Sequence, residues 1–261
     1  MLMFTHTWIL REFIGASHIS RNDHDIFAYN VSPDLLPVHE SITPGLTHSI
    51  PRLSKLPQKY NRAAFVQFHL LVDDMAHHGK IIREAITEFN PNANGYAYIK
   101  GKPLIQPITD FYREIGSEIS FSETAYLSHM IIEMCFDLAL YKKETDLAAL
   151  FSGALTYTVE NKLSEFVKTL SWIFEIEEEI TTDATKRAVA VYQRSKIDSL
   201  MSLEGRISLF IDNYCYGSDD GKTRNGIRNL FNQGMDLVVD YEDFLDTTLT
   251  AINNSEFRYL L

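Results

Sequence analysis

The chain has 261 residues, 45% of them hydrophobic, two cysteines and a formal net charge of −11. Such a length and composition suit one large globular domain or two small ones, and the acidity argues against a surface for long nucleic acids, whose binding draws on Lys and Arg. Cys135 and Cys215 lie far apart and Cys135 sits in an apolar run, so the expectation is a reducing, cytoplasmic setting without a disulfide framework.

The opening stretch MLMFTHTWILREFIG has no basic n-region, and His6, Arg11 and Glu12 interrupt its apolar residues. It reads as neither a signal peptide nor a membrane span, and no later segment offers about 18 uninterrupted apolar residues, so no transmembrane segment is expected. Residues 21–57 read as loop, because Pro33, Pro37, Pro44, Pro51 and Pro57 are spaced too closely for long helices. Residues 58–88 read as a helix, with Phe65, Phe68, Leu71, Val72 and Met75 on one side. The Asn-, Gly- and Pro-rich residues 90–107 read as a second loop. Its Tyr96, Tyr98, Lys100 and Lys102 suit an exposed connector better than a cover for a phosphate-bearing substrate. Residues 122–141 carry Leu127, Ile131, Met134 and Leu138 at helical spacing.

Further helices are expected over roughly 144–159, 161–179, 182–200, 202–214, 223–233 and 236–252, with Thr182, Asp183 and Ser202 as caps and Gly217 and Gly221 marking a break. No alternating strand pattern or internal repeat is present. The expected class is all-α, with residues 1–143 as a metal-binding helical core and residues 144–261 as a C-terminal helical region packed on it as one domain.

All nine histidines lie at or before position 129, which directs attention to the first half of the chain. In FHLLVDDMAHHGK, residues 68–80, the helical advance puts Asp73 about 40° and His77 about 80° from His69, so these three share a face. Asp74, at about 140°, and His78, at about 180°, point away and read as solvated. The same spacing recurs in YLSHMIIEMCFDLAL as His129, Glu133 and Asp137. Glu133 stands in an apolar run, and a buried unpaired carboxylate costs several kcal/mol, which either a divalent metal or an Arg from another helix would offset. Histidine and carboxylate at positions i and i+4 can share one zinc ion, although a single pair of this kind is more often a hydrogen-bonded core histidine or an exposed pair.

The ordered motifs resemble the zinc-dependent phospholipase C and P1-type nuclease family, in its bacterial phospholipase C-like branch. Thr5-His6 looks like the family's early histidine, and Ser32-Pro33-Asp34 like its Gly-Pro-Asp turn. His48, better than His39, fits the histidine that follows. HLLVDDMAH, residues 69–77, and HMIIE, residues 129–133, match the closing motifs. The resemblance covers residues 5–137 and implies an all-α multi-helix bundle, here with additional C-terminal helices, holding two or three zinc ions or other divalent metals. One ion would be held by Asp34, His48, His69 and Asp73. A second would be held by His77, His129 and Glu133 with Asp34 as a bridge, and His6 and Asp73 would contribute to a third. Asp137 has no counterpart in the family and would orient a ligand by hydrogen bonding.

The activity implied is hydrolysis of a small-molecule or lipid-derived phosphoester by a metal-bridging hydroxide, with Asp34 as general base. The chain departs from the secreted members, whose amino-terminal Trp binds the third metal through its amine, in that Trp8 is internal. The alternative is a non-catalytic helical protein with a structural or mononuclear metal site. The oligomeric state is not set by the sequence.

Other features carry less. GSDDGKT, residues 217–223, is one residue short of a phosphate-binding loop and reads as an interhelical turn. His24-Asp25 reads as loop. No Glu-x-x-His occurs, which removes a ferritin-like di-iron site. IFEIEEEI, residues 173–180, reads as a solvated helix face, and DLVVDYEDFLD, residues 236–246, as a packed helix with a wet acidic side.

Overall fold

A computed structural model describes residues 2–15, 23–84, 90–215 and 219–260, and all regular structure among them is helical. The helices are α1 (Met3–Ile14), α2 (Asp25–Leu35), α3 (Pro44–His48), α4 (Ala64–His78), α5 (Tyr96–Gly101), α6 (Ile105–Glu114) and α7 (Phe121–Lys143), followed by α8 (Leu147–Asn161), α9 (Leu163–Phe174), α10 (Glu178–Val191), α11 (Arg194–Leu200), α12 (Leu203–Tyr214), α13 (Gly221–Leu237) and α14 (Tyr241–Asn253). Among the described residues no helix is long and apolar enough to cross a membrane.

The apolar residues form two clusters. In one, Phe4, Leu10, Phe27, Phe68, Leu71, Phe151, Phe166 and Phe257 join α1, α2 and α4 to the later helices α8, α9, α10 and α14. In the other, Leu104, Ile108, Ile131, Phe210 and Phe231 join α5, α6 and α7 to α12 and α13. α7 belongs to both, through Phe136 and Leu140 on one side and Ile131 and Leu138 on the other. Helices before and after residue 143 therefore share each cluster.

α7 is the longest element, and its start is fixed locally. Ser120 Oγ accepts the Glu123 N–H at 3.1 Å while the Glu123 carboxylate accepts the Ser120 N–H at 2.9 Å, a reciprocal capping box. α1 has no such device, because Leu2 stands where a capping side chain would be needed. Its first amides are instead accepted by a residue far along the chain: Asp137 on α7 takes the Phe4 N–H at 3.2 Å and the Thr5 N–H at 3.0 Å. Thr5 Oγ1 donates to the same carboxylate at 2.7 Å, and Arg206 of α12 stands 3.5 Å away. A carboxylate at a helix amino terminus meets both the free donors and the positive end of the helix dipole.

Several expected boundaries are corrected. Residues 25–35 form a helix rather than a loop, although Pro33 lies inside it. Pro33 cannot donate to the Tyr29 carbonyl, and the Ser32 hydroxyl does so instead at 2.8 Å, which lets the last turn proceed. The helix is buried over almost its whole length, from Ile26 through Val31, and that burial outweighs the local breaker.

The helix expected over 58–88 runs only from 64 to 78, because Gly79 adopts φ +69 and closes α4 by donating to Met75 O at 3.1 Å. Residues 85–88 of that expectation lie outside the described residues, as does His18. Residues 90–107, expected as loop, contain α5 and the start of α6. The expected 161–179 helix breaks at Glu175, φ +55, so the acidic run of 173–180 spans an interhelical turn, and the 182–200 helix divides into α10 and α11. Asp220 caps α13 by accepting the Thr223 N–H at 2.7 Å, which makes its part of GSDDGKT a helix cap; Gly217 and Ser218 lie outside the described residues.

Asp137→Ala is expected to lower stability by about 3 kcal/mol, since it uncaps α1 and leaves the buried Arg206 without its carboxylate. Urea unfolding followed by circular dichroism reads this as a lower midpoint at unchanged slope. A loss below about 1 kcal/mol would show that α1 does not depend on this contact.

Candidate metal centre

The donors expected from the sequence come from five helices: His6 from α1, Asp34 from the last turn of α2, His48 from the end of α3, His69, Asp73 and His77 from α4, and His129 and Glu133 from α7. The spacing of four residues keeps the three donors of α4 on one side of that helix. α3 is tied to α2 by Thr47 Oγ1, which donates to Pro33 O at 2.8 Å, and this brings His48 opposite Asp34. Among the described residues these side chains form three groups able to hold a metal ion, His6 with His69 and Asp73, Asp34 with His48 and His69, and His77 with His129 and Glu133. Within each group the donor atoms all lie within 4.8 Å of one another.

The separations around Asp34 and Asp73 are informative. His48 Nε2 is 3.4 Å from Asp34 Oδ1, 3.3 Å from Asp73 Oδ2 and 3.4 Å from His69 Nε2. His69 Nε2 is 3.3 Å from Asp73 Oδ2 and 3.7 Å from Asp34 Oδ1. Charge-assisted hydrogen bonds are shorter, about 2.7–2.9 Å. Ligands about 2.0–2.1 Å from a tetrahedral zinc ion stand about 3.3–3.4 Å from one another. Asp34, His48 and His69 therefore stand close to the mutual spacing of ligands around one zinc ion, and Asp73 Oδ2 lies 3.3 Å from both histidines. Asp34 Oδ2 is buried and has no hydrogen-bond partner, an acceptor that the protein alone leaves unmet.

Asp73 faces donors on both sides, since its Oδ1 is 3.3 Å from His6 Nε2 while its Oδ2 faces His48 and His69. The His6 and His69 rings stack, with centroids 3.7 Å apart and planes at 13°. In the third group His77 Nε2 is 2.9 Å from Glu133 Oε1, a hydrogen bond, and the His77 and His129 rings stand edge to face at 5.5 Å.

Burial and charge together set the protonation states. Burial, reinforced by the neighbouring His6, pushes the His69 imidazole down to about 4, and burial with His77 does the same for His129, also to about 4. Both are thus held as the neutral imidazole, which is the coordinating form. Burial also opposes the charge on His48, but Asp34 and Asp73 outweigh it and push that imidazole up to about 10. Burial disfavours ionised Asp34, Asp73 and Glu133. Even so, His69 and His48 hold Asp34 below the usual carboxylate range, and the chain's amino-terminal charge, followed by the neighbouring histidines, holds Glu133 below it and Asp73 well below it.

Other expected residues take different places. Asp137 lies at the amino terminus of α1, next to the residue before His6, and its carboxyl is pushed up by burial against Arg206 and the bonds from Thr5. His39 stands apart from the donors, with Nε2 3.4 Å from Asp183 Oδ2 and Nδ1 accepting the Ser41 N–H. Asp74, expected to be solvated, is 1% exposed. It lies 3.3 Å from the buried Arg52 and accepts the Ile82 N–H at 2.9 Å. The helical wheel fails here because α4 is enclosed on all sides from Ala64 to Ala76. His78 is half-buried.

Of the residues expected to form an exposed connector, Lys102 is exposed, whereas Tyr96, Tyr98 and Lys100 are not. Tyr96 and Lys100 both reach Asp240, and Tyr98 is buried, its ring stacked on His129 at 4.7 Å and 14°. Tyr126 adds an edge contact to the same imidazole at 5.0 Å. The Tyr126–His129 contact was readable from i,i+3 spacing on α7, whereas nothing local marks Tyr98. Its position depends on Gly95, whose N–H donates to His77 O at 2.8 Å and whose missing Cβ would overlap backbone atoms of Ala76, His77 and His78. The Ala76 carbonyl lies against this glycine. No family model, curated protein or solved structure matches the chain.

Gly95→Ala is expected to destabilise the protein by about 1–3 kcal/mol through overpacking. At a position with room for the methyl the same change stabilises by about 0.4–1 kcal/mol. Chemical denaturation therefore decides by sign, and a gain in stability would mean that α5 does not lie this close to α4.

Proposed function

We propose that the chain is a zinc-dependent phosphoester hydrolase of the phospholipase C and P1 nuclease type, acting on a small or lipid-derived phosphoester. The observation that carries the reading is the convergence of Asp34, His48 and His69, whose donor atoms lie within 4.8 Å of one another, with Asp73 Oδ2 3.3 Å from both histidines. It gains weight because the order of motifs along the chain singles out the same residues. Nitrogen and carboxylate oxygen are the donors zinc takes, and the unmet Asp34 Oδ2 beside them fits a site completed by a cation.

Asp34, His48, His69 and Asp73 would hold one ion, His77, His129 and Glu133 a second, and His6 with the remaining oxygen of Asp73 would contribute to a third. Zinc held there would supply Lewis-acid polarisation of a phosphoryl oxygen and offset the charge developing at phosphorus. Asp34 is the group suited to general-base work. Its Oδ1 faces His48 and His69, and a carboxylate in that position is within reach of a proton released at the site. The Tyr98 ring stacks on the His129 imidazole and the Tyr126 ring meets it edge on, which fixes its orientation. Solvent reaches the donors at Asp34, His48 and His77, while His6 and His69 are fully buried, so a compact ester group meets the site along that edge. The deep burial of His6, His69, Asp73 and Glu133 also favours a second reading, in which a metal only fastens α1, α4 and α7 together.

Elemental analysis of the purified protein is expected to give two or more zinc ions per chain, and one ion without activity would select the structural reading. With bis-p-nitrophenyl phosphate as substrate, Asp34→Asn is expected to lower kcat by about 10²–10⁴-fold in protein that retains its metal. Undiminished turnover in that variant would remove Asp34 from the mechanism. Removing the metal with a chelator is expected to lower the unfolding midpoint, because an ion at 100 times its Kd stabilises the folded state by about 2.7 kcal/mol.

A further inference from the structure

His48 ends a helix of only five residues, and only the Nε2 side of its ring faces α4. Its Nδ1 lies 2.8 Å from Pro44 O and 3.0 Å from Thr47 Oγ1, both within α3. A second tie to α4, at the backbone, comes from Arg52, which is 5% exposed. Arg52 Nη1 donates to Ile50 O at 2.9 Å and to His48 O at 3.3 Å, while Nη2 lies 3.3 Å from Asp74 Oδ1. Asp74 is itself held in place by the Ile82 amide. Consecutive residues of α4 thus grip His48 at both ends: Asp73 faces its ring nitrogen, and Asp74, through Arg52, holds its backbone carbonyl.

We infer that Arg52 is a positioning residue for His48, and that the buried Arg52–Asp74 pair fixes the distance between α3 and α4 that the His48 donor group requires. A guanidinium suits the task because its planar fork can bond a carboxylate on one side and two carbonyls on the other. The inference rests on the metal-binding reading above for its effect on affinity, although the tether itself exists without a metal.

Two variants separate positioning from folding. Arg52→Lys keeps a cation for Asp74 but has no fork to span the carbonyls. Arg52→Met/Asp74→Leu removes both buried charges together, which avoids stranding either one. Zn2+ titration of each is made in a His77→Ala/Glu133→Gln background, which leaves the His48 group, and compared with the same changes in a His48→Ala background. Affinity at the His48 group is expected to fall about 10–100-fold, as when the partner that orients a ligand is lost, with the His77 group unchanged. Hydrogen exchange of the metal-free protein is expected to quicken about tenfold across residues 44–52 and not in α7. Equal weakening of both groups, or of neither, overturns the proposal. If the parent chain binds no Zn2+, the metal reading fails, and exchange alone decides. Faster exchange confined to residues 44–52 upholds the tether, and unchanged exchange rejects it.

Discussion

The burial of Asp73 is the constraint on which the surrounding architecture turns. A carboxylate that is 4% exposed must find compensating donors or cations, and each of its oxygens does so in a different direction. Oδ1 meets His6 from α1, and Oδ2 meets His48 from α3 and His69 from its own helix. Three helices are thereby obliged to end their approach at one side chain. The stacked His6 and His69 rings carry the same constraint into the packing of α1 on α4.

α7 answers a second buried-charge problem with the same periodicity. Glu133 and Asp137 are one turn apart and so share a face, yet they do different work. Glu133 meets His77 within the donor set, while Asp137 caps α1 one residue before His6. A single helix thus holds one donor group and fixes the start of the helix that supplies another. Because Leu2 offers no local cap, the placement of His6 is a tertiary property and not a local one.

This division explains what could be read from the sequence. His69, Asp73 and His77, and likewise His129 and Glu133, were legible because residues on one helix obey a fixed angular period whatever surrounds them. Asp74 was misread because the period gives an angle and not an environment, and α4 has no solvated side along most of its length. α2 was hidden by Pro33, whose missing donor is replaced by the Ser32 hydroxyl, a substitution that propensity does not weigh. α5 is six residues long, too short to show a period, and is held by Asp240 and by the close approach of Gly95 to α4. The partners of Asp137 and Arg52 across the fold leave no trace in local spacing.

The electrostatics of the donor set bear on how the proposed chemistry would be ordered. Asp34, Asp73 and Glu133 are held ionised, His69 and His129 are held neutral, and His48 carries a proton between two of the carboxylates. Three carboxylates thus gather behind the edge formed by Asp34, His48 and His77, on a chain whose formal net charge is −11. That field attracts divalent cations and repels a phosphate anion. An anionic ester gains a favourable site here only once bound cations have reversed the local potential. On the proposed reading, the side chains that would hold the metal are also the ones that make metal binding a precondition for binding substrate.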